Sequence, residues 1–358
     1  MQALSASFSE IKPQNLVVLG TGGTIAGTAS VAAAGAAELD GNLAYTAAQL
    51  GVQALLQALP DRGSLSFDLV TEQVAQRDSK DMDFDDWRVL ALRVRHHLQQ
   101  SDVAGVVITH GTDTLEETAF FLLQVLPAEL LQAKPVVITC AMRPATSPEA
   151  DGPQNLQDAL TLAGTPAAHG VMAVCAGQIH AALVVQKVHP YRLNAFDSGA
   201  AAILGQVHGG VVKWTPPAAS TAPAAAPAQT ANSNLQLDDL TLATVWPRVE
   251  IVMSHAGASG DLVDALLASP NFGKGSQASP LRGIVVAGTG NGSVHHALEA
   301  ALVRAKAAGV HVWRSTRCAY GAVQAVPGKL LPEVTALAPP KARIALMLAL
   351  LQHDLKLR

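Results

Sequence analysis

Short apolar runs alternate along this chain with longer stretches in which apolar residues recur at helical spacing. The runs are rich in β-branched residues and too short for helices, as is typical of strands buried inside a parallel sheet. In the first part of the chain they occupy residues 16–19, 103–108, 136–139 and 171–174, and helical spacing occupies residues 83–99 and 115–126. This alternation predicts an α/β domain with a mostly parallel sheet and helices on both faces.

The same rhythm returns after an interruption. Residues 215–234 read TPPAASTAPAAAPAQTANSN, an uncharged and aperiodic stretch that predicts an exposed linker. Beyond it, strand-like runs occupy residues 249–253, 283–287 and 310–313, and helical spacing occupies residues 261–268, 294–308 and 340–352. We therefore expect a larger N-terminal α/β domain (1–214), a Pro/Ala-rich linker (215–245) and a smaller C-terminal parallel α/β domain (246–358).

Composition narrows the function classes. A chain of 358 residues is long enough for two domains with cores of their own, and its net charge of −4 gives no reason to expect nucleic-acid binding. It contains no uncharged apolar run of about 18 residues, so no membrane span is expected. Three widely spaced cysteines and an N-terminus without a basic, then apolar, leader favour a cytoplasmic protein. The histidines form no HxxxH or HExxH pattern, so metal binding has little support.

Two strand ends carry an unusual number of hydroxyl groups. Residues 20–27, which read GTGGTIAG, follow the first apolar run, and residues 109–114, which read THGTDT, follow the second. The first turn lacks a dinucleotide-binding spacing because Ile25 stands where GxGxxG needs glycine, and it lacks a phosphate-binding lysine because Thr28 stands there. A non-catalytic small-molecule-binding module is therefore an alternative with little support. Glycines at 22 and 23 leave room for a ligand to approach the hydroxyl of Thr24.

Thr24 and Thr112 both follow strands of one predicted sheet, so they can face a common crevice. A threonine hydroxyl becomes a nucleophile only when a base takes its proton, and Asp113, a lysine or a tyrosine could do so. Lys187 follows an apolar run and is expected near the sheet. The alternatives are structural: the TDT sequence could simply cap a helix, and a single lysine is usually a solvated charge.

A polar cluster at residues 77–82 precedes a predicted helix. Taken alone it is typical of a solvated helix cap. As a ligand site it would offer Ser79 as a hydrogen-bond donor and Asp81 as the partner of an ammonium group.

Several longer motifs resemble those of one known family, the bacterial-type L-asparaginases and glutaminase-asparaginases. The matching segments are residues 21–27 (TGGTIAG), 108–118 (ITHGTDTLEET), 140–144 (CAMRP), 151–156 (DGPQNL), 288–292 (GTGNG) and 340–343 (PKAR). They stand in the family's order and cover nearly the whole chain apart from the Pro/Ala-rich stretch.

The resemblance implies hydrolysis of the side-chain amide of L-asparagine to aspartate and ammonia, with minor glutaminase activity and without metal or cofactor. It implies a two-domain α/β fold and a homotetramer, a dimer of dimers. By motif position, Thr24 would be the nucleophile and Tyr45 its neighbour on a mobile active-site loop. The alanine-rich loop 26–44 could close over the substrate as a lid. Thr112, Asp113 and Lys187 would relay protons.

By the same resemblance, Ser79 would bind the substrate α-carboxylate, Asp81 the α-amino group, and the backbone of Ala141 the substrate amide. The sequence also departs from the family pattern. Lys80 stands where many periplasmic members have glutamine, and Gly257 stands where they have asparagine. A glutamate that those members carry after residues 314–317 has no clear counterpart. These differences bear on affinity and on the choice between asparagine and glutamine. The amide-hydrolysing subunit of a tRNA-dependent amidotransferase is a second alternative.

Overall fold

The computed structural model of the chain describes residues 15–29, 45–59, 66–216, 237–242, 245–268 and 280–357. Its strands are β1 (Asn15–Gly22), β2 (Thr28–Ala29), β3 (Tyr45–Thr46), β4 (Asp68–Arg77), β5 (Val103–Thr109), β6 (Pro135–Thr139), β7 (Gly170–Cys175), β8 (Gln178–Ala181), β9 (Gln186–Lys187), β10 (Phe196–Asp197), β11 (Gly205–His208), β12 (Val211–Trp214), β13 (Arg248–Met253), β14 (Leu281–Gly288) and β15 (His311–Thr316). Its helices are α1 (Val52–Gln57), α2 (Phe84–Leu98), α3 (Leu115–Val125), α4 (Ala128–Ala133), α5 (Gly152–Ala163), α6 (Leu237–Leu242), α7 (Asp261–Ala268), α8 (His296–Ala307) and α9 (Pro339–Lys356).

The larger sheet has the strand order β12-β11-β8-β7-β6-β5-β1-β4. Strands β4, β1, β5, β6 and β7 run parallel to one another, whereas β8, β11 and β12 continue the sheet with antiparallel pairing. The carboxyl ends of four neighbouring parallel strands, β4, β1, β5 and β6, therefore meet at one edge of the sheet. Loops that follow parallel strands at such an edge are where α/β folds hold their ligands.

Helices cover both faces of this sheet. Successive residues of a strand point to opposite faces, so Val17 and Leu19 of β1 pack into one core with α2 and α3. Leu16 and Val18 pack into the second core with α1 and α5. Because the central strands are buried on both faces, their apolar runs show no alternation with polar residues.

A smaller parallel sheet with the order β13-β14-β15 follows. Helices α7 and α8 cover one face of it in a core of its own. Helix α9 packs on β13 and β14 and also contacts α3 of the larger sheet. The apolar residues of α9 belong to the same core as those of α2 and α3, so this helix joins the two parts of the chain.

The predicted fold class, two α/β domains with a larger mostly parallel sheet first, is confirmed. The seven apolar runs correspond to β1, β5, β6, β7, β13, β14 and β15. The pattern missed β4, whose residues are mostly exposed or half-buried because it lies at the sheet edge. It also missed the antiparallel strands β8, β11 and β12.

The domain limits at 214 and 246 stay a prediction. Most of the expected linker and most of the alanine-rich residues 26–44 lie outside the described residues. None of the described helices is both long enough and apolar enough to cross a membrane.

Candidate active site

The candidate residues lie on loops at the carboxyl edge of the larger sheet. Thr24 follows β1, and Thr112 and Asp113 follow β5, its parallel neighbour. Ala141 follows β6 on the far side of β5, and Ser79 follows β4 on the far side of β1. Four adjacent strands thus bring loops that are far apart in the chain to one edge of the sheet, and Thr24 and Thr112 follow neighbouring strands there.

Two glycines allow the turns after β1 and β5 to lie against each other. Gly23 has φ = 82°, a left-handed conformation that glycine adopts without strain. A Cβ atom at Gly23 would collide with the backbone of Gly111, and a Cβ atom at Gly111 would collide with Ser79. The backbones therefore pack in direct contact, and side chains at these positions would push the three loops apart.

Thr24 opens a short 3-10 turn and is largely buried, with 6% of its surface exposed. Its Oγ1 lies 2.7 Å from the phenolic oxygen of Tyr45, and either hydroxyl can be the donor. Tyr45 reaches this position because β3 pairs with β2, where Ala29 is opposite Tyr45. The predicted pairing of Thr24 with Tyr45 is thus present in the geometry, while the residues that connect β2 to β3 lie outside the described chain.

Lys187 holds the other pair of side chains. Its Nζ donates hydrogen bonds to Thr112 Oγ1 at 2.8 Å and to Asp113 Oδ1 at 2.6 Å. The lysine side chain is 18% exposed and the aspartate side chain 52% exposed, so the cluster opens to solvent on the aspartate side. The three residues, predicted as a group from positions more than 70 apart, are in direct contact. Thr112 Oγ1 accepts from Lys187 and points its own proton at Asp113 Oδ1, 3.4 Å away. This contact is long, and a hydroxyl hydrogen can rotate, so the proton can be turned toward a reacting group.

A buried histidine fixes the corner between β5 and Thr112. The carbonyl of Gly111 can only accept, so His110 Nδ1–H donates to it at 2.7 Å. His110 Nε2 must then accept from the hydroxyl of Thr118 at 2.9 Å, and that hydroxyl accepts from Trp87 Nε1–H at 2.9 Å. Complete burial lowers the pKa of His110 to about 4, which keeps the ring neutral and this tautomer in place.

The side chains of the TDT sequence do not cap α3. Thr114 is the N-cap residue of this helix, but it makes no side-chain cap hydrogen bond. Its hydroxyl instead donates to the carbonyl of Ser79 at 2.8 Å and so joins the loop after β5 to the loop after β4.

The two predicted substrate-binding residues after β4 have different surroundings. Ser79 is 2% exposed, and its hydroxyl has no hydrogen-bond partner among the described residues. Asp81 has a side chain that is 65% exposed and forms an ion pair with Lys80, with 3.1 Å between Nζ and Oδ2. Lys80 also contacts Asp78 at 2.6 Å, so the lysine that departs from the family pattern is held by two neighbouring carboxylates.

Ala141 is fully buried, and the loop around it is held by two residues that sequence reasoning had not singled out. The carboxylate of Asp151 accepts from the backbone N–H groups of Met142 at 3.0 Å and Arg143 at 2.8 Å. Asn155 donates through Nδ2 to the carbonyl of Cys140 at 2.9 Å. The backbone at Ala141 is therefore fixed on both sides. Asp151 is the first residue of a motif that matches the family, residues 151–156, and this motif was the only sign of its importance in the sequence.

Gly257, the other departure, has φ = 72° and lies in an exposed turn after β13. No group of three or more His, Cys, Asp or Glu side chains in the described part of the chain could hold a metal ion.

Comparisons with known proteins show the family and the fold of this chain. The sequence profile described as "Asparaginase, N-terminal" matches residues 15–220, and the one described as "Glutaminase/Asparaginase C-terminal domain" matches residues 248–356. L-asparaginase 2 of Bacillus subtilis is 35% identical over 359 residues, which cover 97% of this chain and 85% of that protein.

Further relatives match over similar lengths. Glutaminase-asparaginase of Pseudomonas fluorescens biotype A is 33% identical and covers 96% of this chain and 88% of its own. The crystal structure of a probable cytoplasmic L-asparaginase from Campylobacter jejuni superposes with a TM-score of 0.79 at 33% identity, covering 94% of this chain and 95% of that one. Fold and site thus define an α/β amidohydrolase. The chain belongs to the asparaginase family, as the sequence motifs indicated.

Proposed function

We propose that this protein hydrolyses the side-chain amide of L-asparagine to L-aspartate and ammonia, with Thr24 as the nucleophile. The observation that carries the proposal is the arrangement of two hydroxyl clusters at one sheet edge. In one, Thr24 contacts Tyr45, and in the other, Lys187 contacts Thr112 and Asp113. Two relatives named L-asparaginase 2 support this choice of substrate. One is the Bacillus subtilis protein, and the other is the Escherichia coli protein, which is 34% identical to this chain over 346 residues.

The first half of the reaction forms an ester. The Oγ1 of Thr24 bonds to the side-chain carbonyl carbon of asparagine while its proton leaves along the hydrogen bond to Tyr45. The C–N bond then breaks, and the amide nitrogen gains one proton and leaves as ammonia. This is the proton that Thr24 lost, passed on by a relay in which Tyr45 and Thr112 each take up one proton and give one away, so both end the step as neutral hydroxyls. Thr112, whose oxygen is held by Lys187, is the group proposed to hand the proton to the nitrogen.

The second half of the reaction restores the enzyme. Water attacks the ester carbonyl, one proton of the water returns to Thr24 Oγ1, and aspartate leaves. In both halves negative charge develops on the carbonyl oxygen, and donors fixed beforehand in the protein stabilise that charge. The close packing of Gly23 on Gly111 supports such a role, since it holds the loops after β1 and β5 in a fixed relation.

Substrate recognition is proposed for the loops beside these clusters. The buried hydroxyl of Ser79 suits the α-carboxylate because, in the described chain, it has no other partner. Asp81 is proposed to bind the α-amino group with its exposed carboxylate, of which Lys80 contacts Oδ2. The backbone of Ala141, held by the loop contacts of Asp151, is proposed to meet the amide.

Minor activity on glutamine is a second part of the proposal, supported by the 33% identical relative named glutaminase-asparaginase. We also propose a homotetramer without nucleic-acid or membrane partners, and a cytoplasmic location. The structural relative named a probable cytoplasmic L-asparaginase supports this location, although the Haemophilus influenzae relative is named a probable periplasmic L-asparaginase.

Ammonia release from a panel of amides tests the function. Asparagine and glutamine should be compared under the same conditions, each with and without a mischarged aspartyl- or glutamyl-tRNA that could accept the released ammonia. The proposal expects asparagine to give the highest kcat/KM and glutamine a measurable but lower one. Tight binding of ATP or NAD without ammonia release would favour a binding module instead, and activity confined to an aminoacyl-tRNA assay would favour an amidotransferase subunit.

A further inference from the structure

Lys341 is a buried lysine in the C-terminal part of the chain, and the proposed chemistry does not use it. Burial lowers its pKa to about 7, and the negative charge of Glu116 opposes that fall. It lies in the first turn of α9 and is 1% exposed. Its Nζ donates to the carbonyl oxygens of Ala182 at 3.0 Å, Leu183 at 3.0 Å and Val185 at 2.6 Å. An ammonium group has three protons, so these three carbonyls satisfy it completely.

The segment that supplies these carbonyls leads directly to Lys187. It forms the turn between β8 and β9, and the N–H groups of Val184 and Val185 close it by donating to the carbonyl of Ala181 at 3.1 and 3.0 Å. Only one residue separates Val185 from Lys187, a reach of about 7 Å between Cα atoms. The hydrogen bond from Lys341 to the carbonyl of Val185 therefore anchors the chain directly before β9.

Glu116 holds Lys187 from the other side. This residue lies in the first turn of α3, and its Oε2 accepts from the backbone N–H of Lys187 at 2.8 Å. Burial raises the pKa of Glu116, and the positive charge of Lys341 opposes that rise. Lys341 thus interacts electrostatically with Glu116, and Glu116 in turn binds the backbone of Lys187.

We propose that Lys341 is a positioning residue that, together with Glu116, fixes the backbone of Lys187. The Nζ of Lys187 is then held within hydrogen-bonding distance of Thr112 and Asp113. Helix α9 contributes to the site in this way without touching the substrate. The inference rests on the proposed function, because that proposal is what makes Lys187 part of the reaction.

Steady-state kinetics of Lys341→Met and Lys341→Arg test this role. Methionine keeps a long unbranched side chain but removes the donors. Arginine keeps the positive charge, but its planar guanidinium cannot donate to three carbonyls that converge on one nitrogen. A displacement of about 1 Å can cost about a hundredfold in rate, so we expect kcat to fall by about tenfold to a hundredfold in both variants. KM should change by less than about threefold, because Lys341 does not contact the substrate-binding residues.

Lys134 provides a matched control. Its Nζ donates to the backbone carbonyls of Leu98 at 2.8 Å and Gln100 at 2.5 Å, and it lies just before β6, at the sheet edge opposite the candidate site. Lys134→Met removes the same kind of contact, so it should lower the melting temperature and leave kcat unchanged. Wild-type kcat in folded Lys341→Met or Lys341→Arg would overturn the proposal.

A double-mutant cycle separates positioning from general loss of structure. If Lys341 acts through Lys187, the loss in kcat for Lys341→Met should largely disappear when Lys187 is already methionine. Losses that multiply would overturn the proposal. The cycle also separates two kinds of failure. Full activity of Lys187→Met alone would refute the proposed relay, whereas an impaired Lys187→Met beside an unimpaired Lys341→Met would refute only the positioning role.

Discussion

The neutral, buried His110 should make the protein lose stability between neutral pH and pH 4. Burial lowers the pKa of His110 from 6.5 to about 4 in the folded protein. Between these values the unfolded chain binds a proton that the folded chain does not, so the free energy of unfolding rises with pH across this window. At 1.36 kcal/mol for each pH unit, His110 contributes about 3 kcal/mol that is present above pH 6.5 and lost as the pH falls to 4.

Protonation also breaks a specific contact. A second proton, on Nε2, would face the hydroxyl of Thr118, which already accepts from Trp87 and donates to that nitrogen. To accept from Nε2, this hydroxyl would have to turn its own proton away, so the contact that fixes the ring beside the Gly111 carbonyl would change. Loss of the His110 contacts should therefore disturb the corner of the site as well as the stability of the domain.

Urea unfolding from pH 4 to pH 7 measures this effect in the wild type and in His110→Gln. The variant should be less stable at pH 7, because it loses the His110 hydrogen bonds. Since glutamine does not titrate, its free energy of unfolding should change by about 3 kcal/mol less over this pH range than that of the wild type. His180, whose pKa burial also lowers to about 4, stays in both proteins and cancels in the comparison. The exposed His255, changed to glutamine, is the control for the substitution itself. Equal pH dependence in wild type and His110→Gln would refute the reasoning.

Other predictions concern packing, loop geometry and thiols. Gly23→Ala places a methyl group on the backbone of Gly111, so it should cost about 1–3 kcal/mol in a urea titration and impair ammonia release; unchanged behaviour would contradict the close packing. Asp151→Asn weakens two backbone contacts beside the amide-binding loop, so KM should rise more than the melting temperature falls. A thiol reagent should react with the exposed Cys318 in the folded protein and with the two buried cysteines only in urea. Burial also raises the pKa of the Cys140 thiol, which lowers its reactivity further.

The central strands and the main site motifs could be predicted from the sequence because each depends on local pattern. Strands such as β5 are apolar throughout, since both faces are buried. The glycine-threonine turns carry their chemistry in consecutive residues. The predicted contact between Lys187 and Thr112 came from the family resemblance, since no local pattern links positions 75 apart.

Edge strands and supporting contacts could not be predicted. Strand β4 has mostly polar or half-exposed residues, because an edge strand packs on one neighbour and leaves much of its surface to solvent. Lys341 stands in a recognised motif, but its three carbonyl partners lie more than 150 residues earlier. Only the tertiary fold shows that this charge is buried and that its partners lead to Lys187.

Ammonia release from L-asparagine by Thr24→Ala tests the central claim most directly. Thr21→Ala is the matched control, because it removes a hydroxyl at the end of β1 that, in the described part of the chain, bonds to the carbonyl of Thr109 at 2.9 Å and to no other group. With both variants folded, Thr24→Ala should lose at least about a thousandfold in kcat, as expected when a nucleophile is removed. Thr21→Ala should keep most of the activity. Wild-type ammonia release by folded Thr24→Ala would contradict the account.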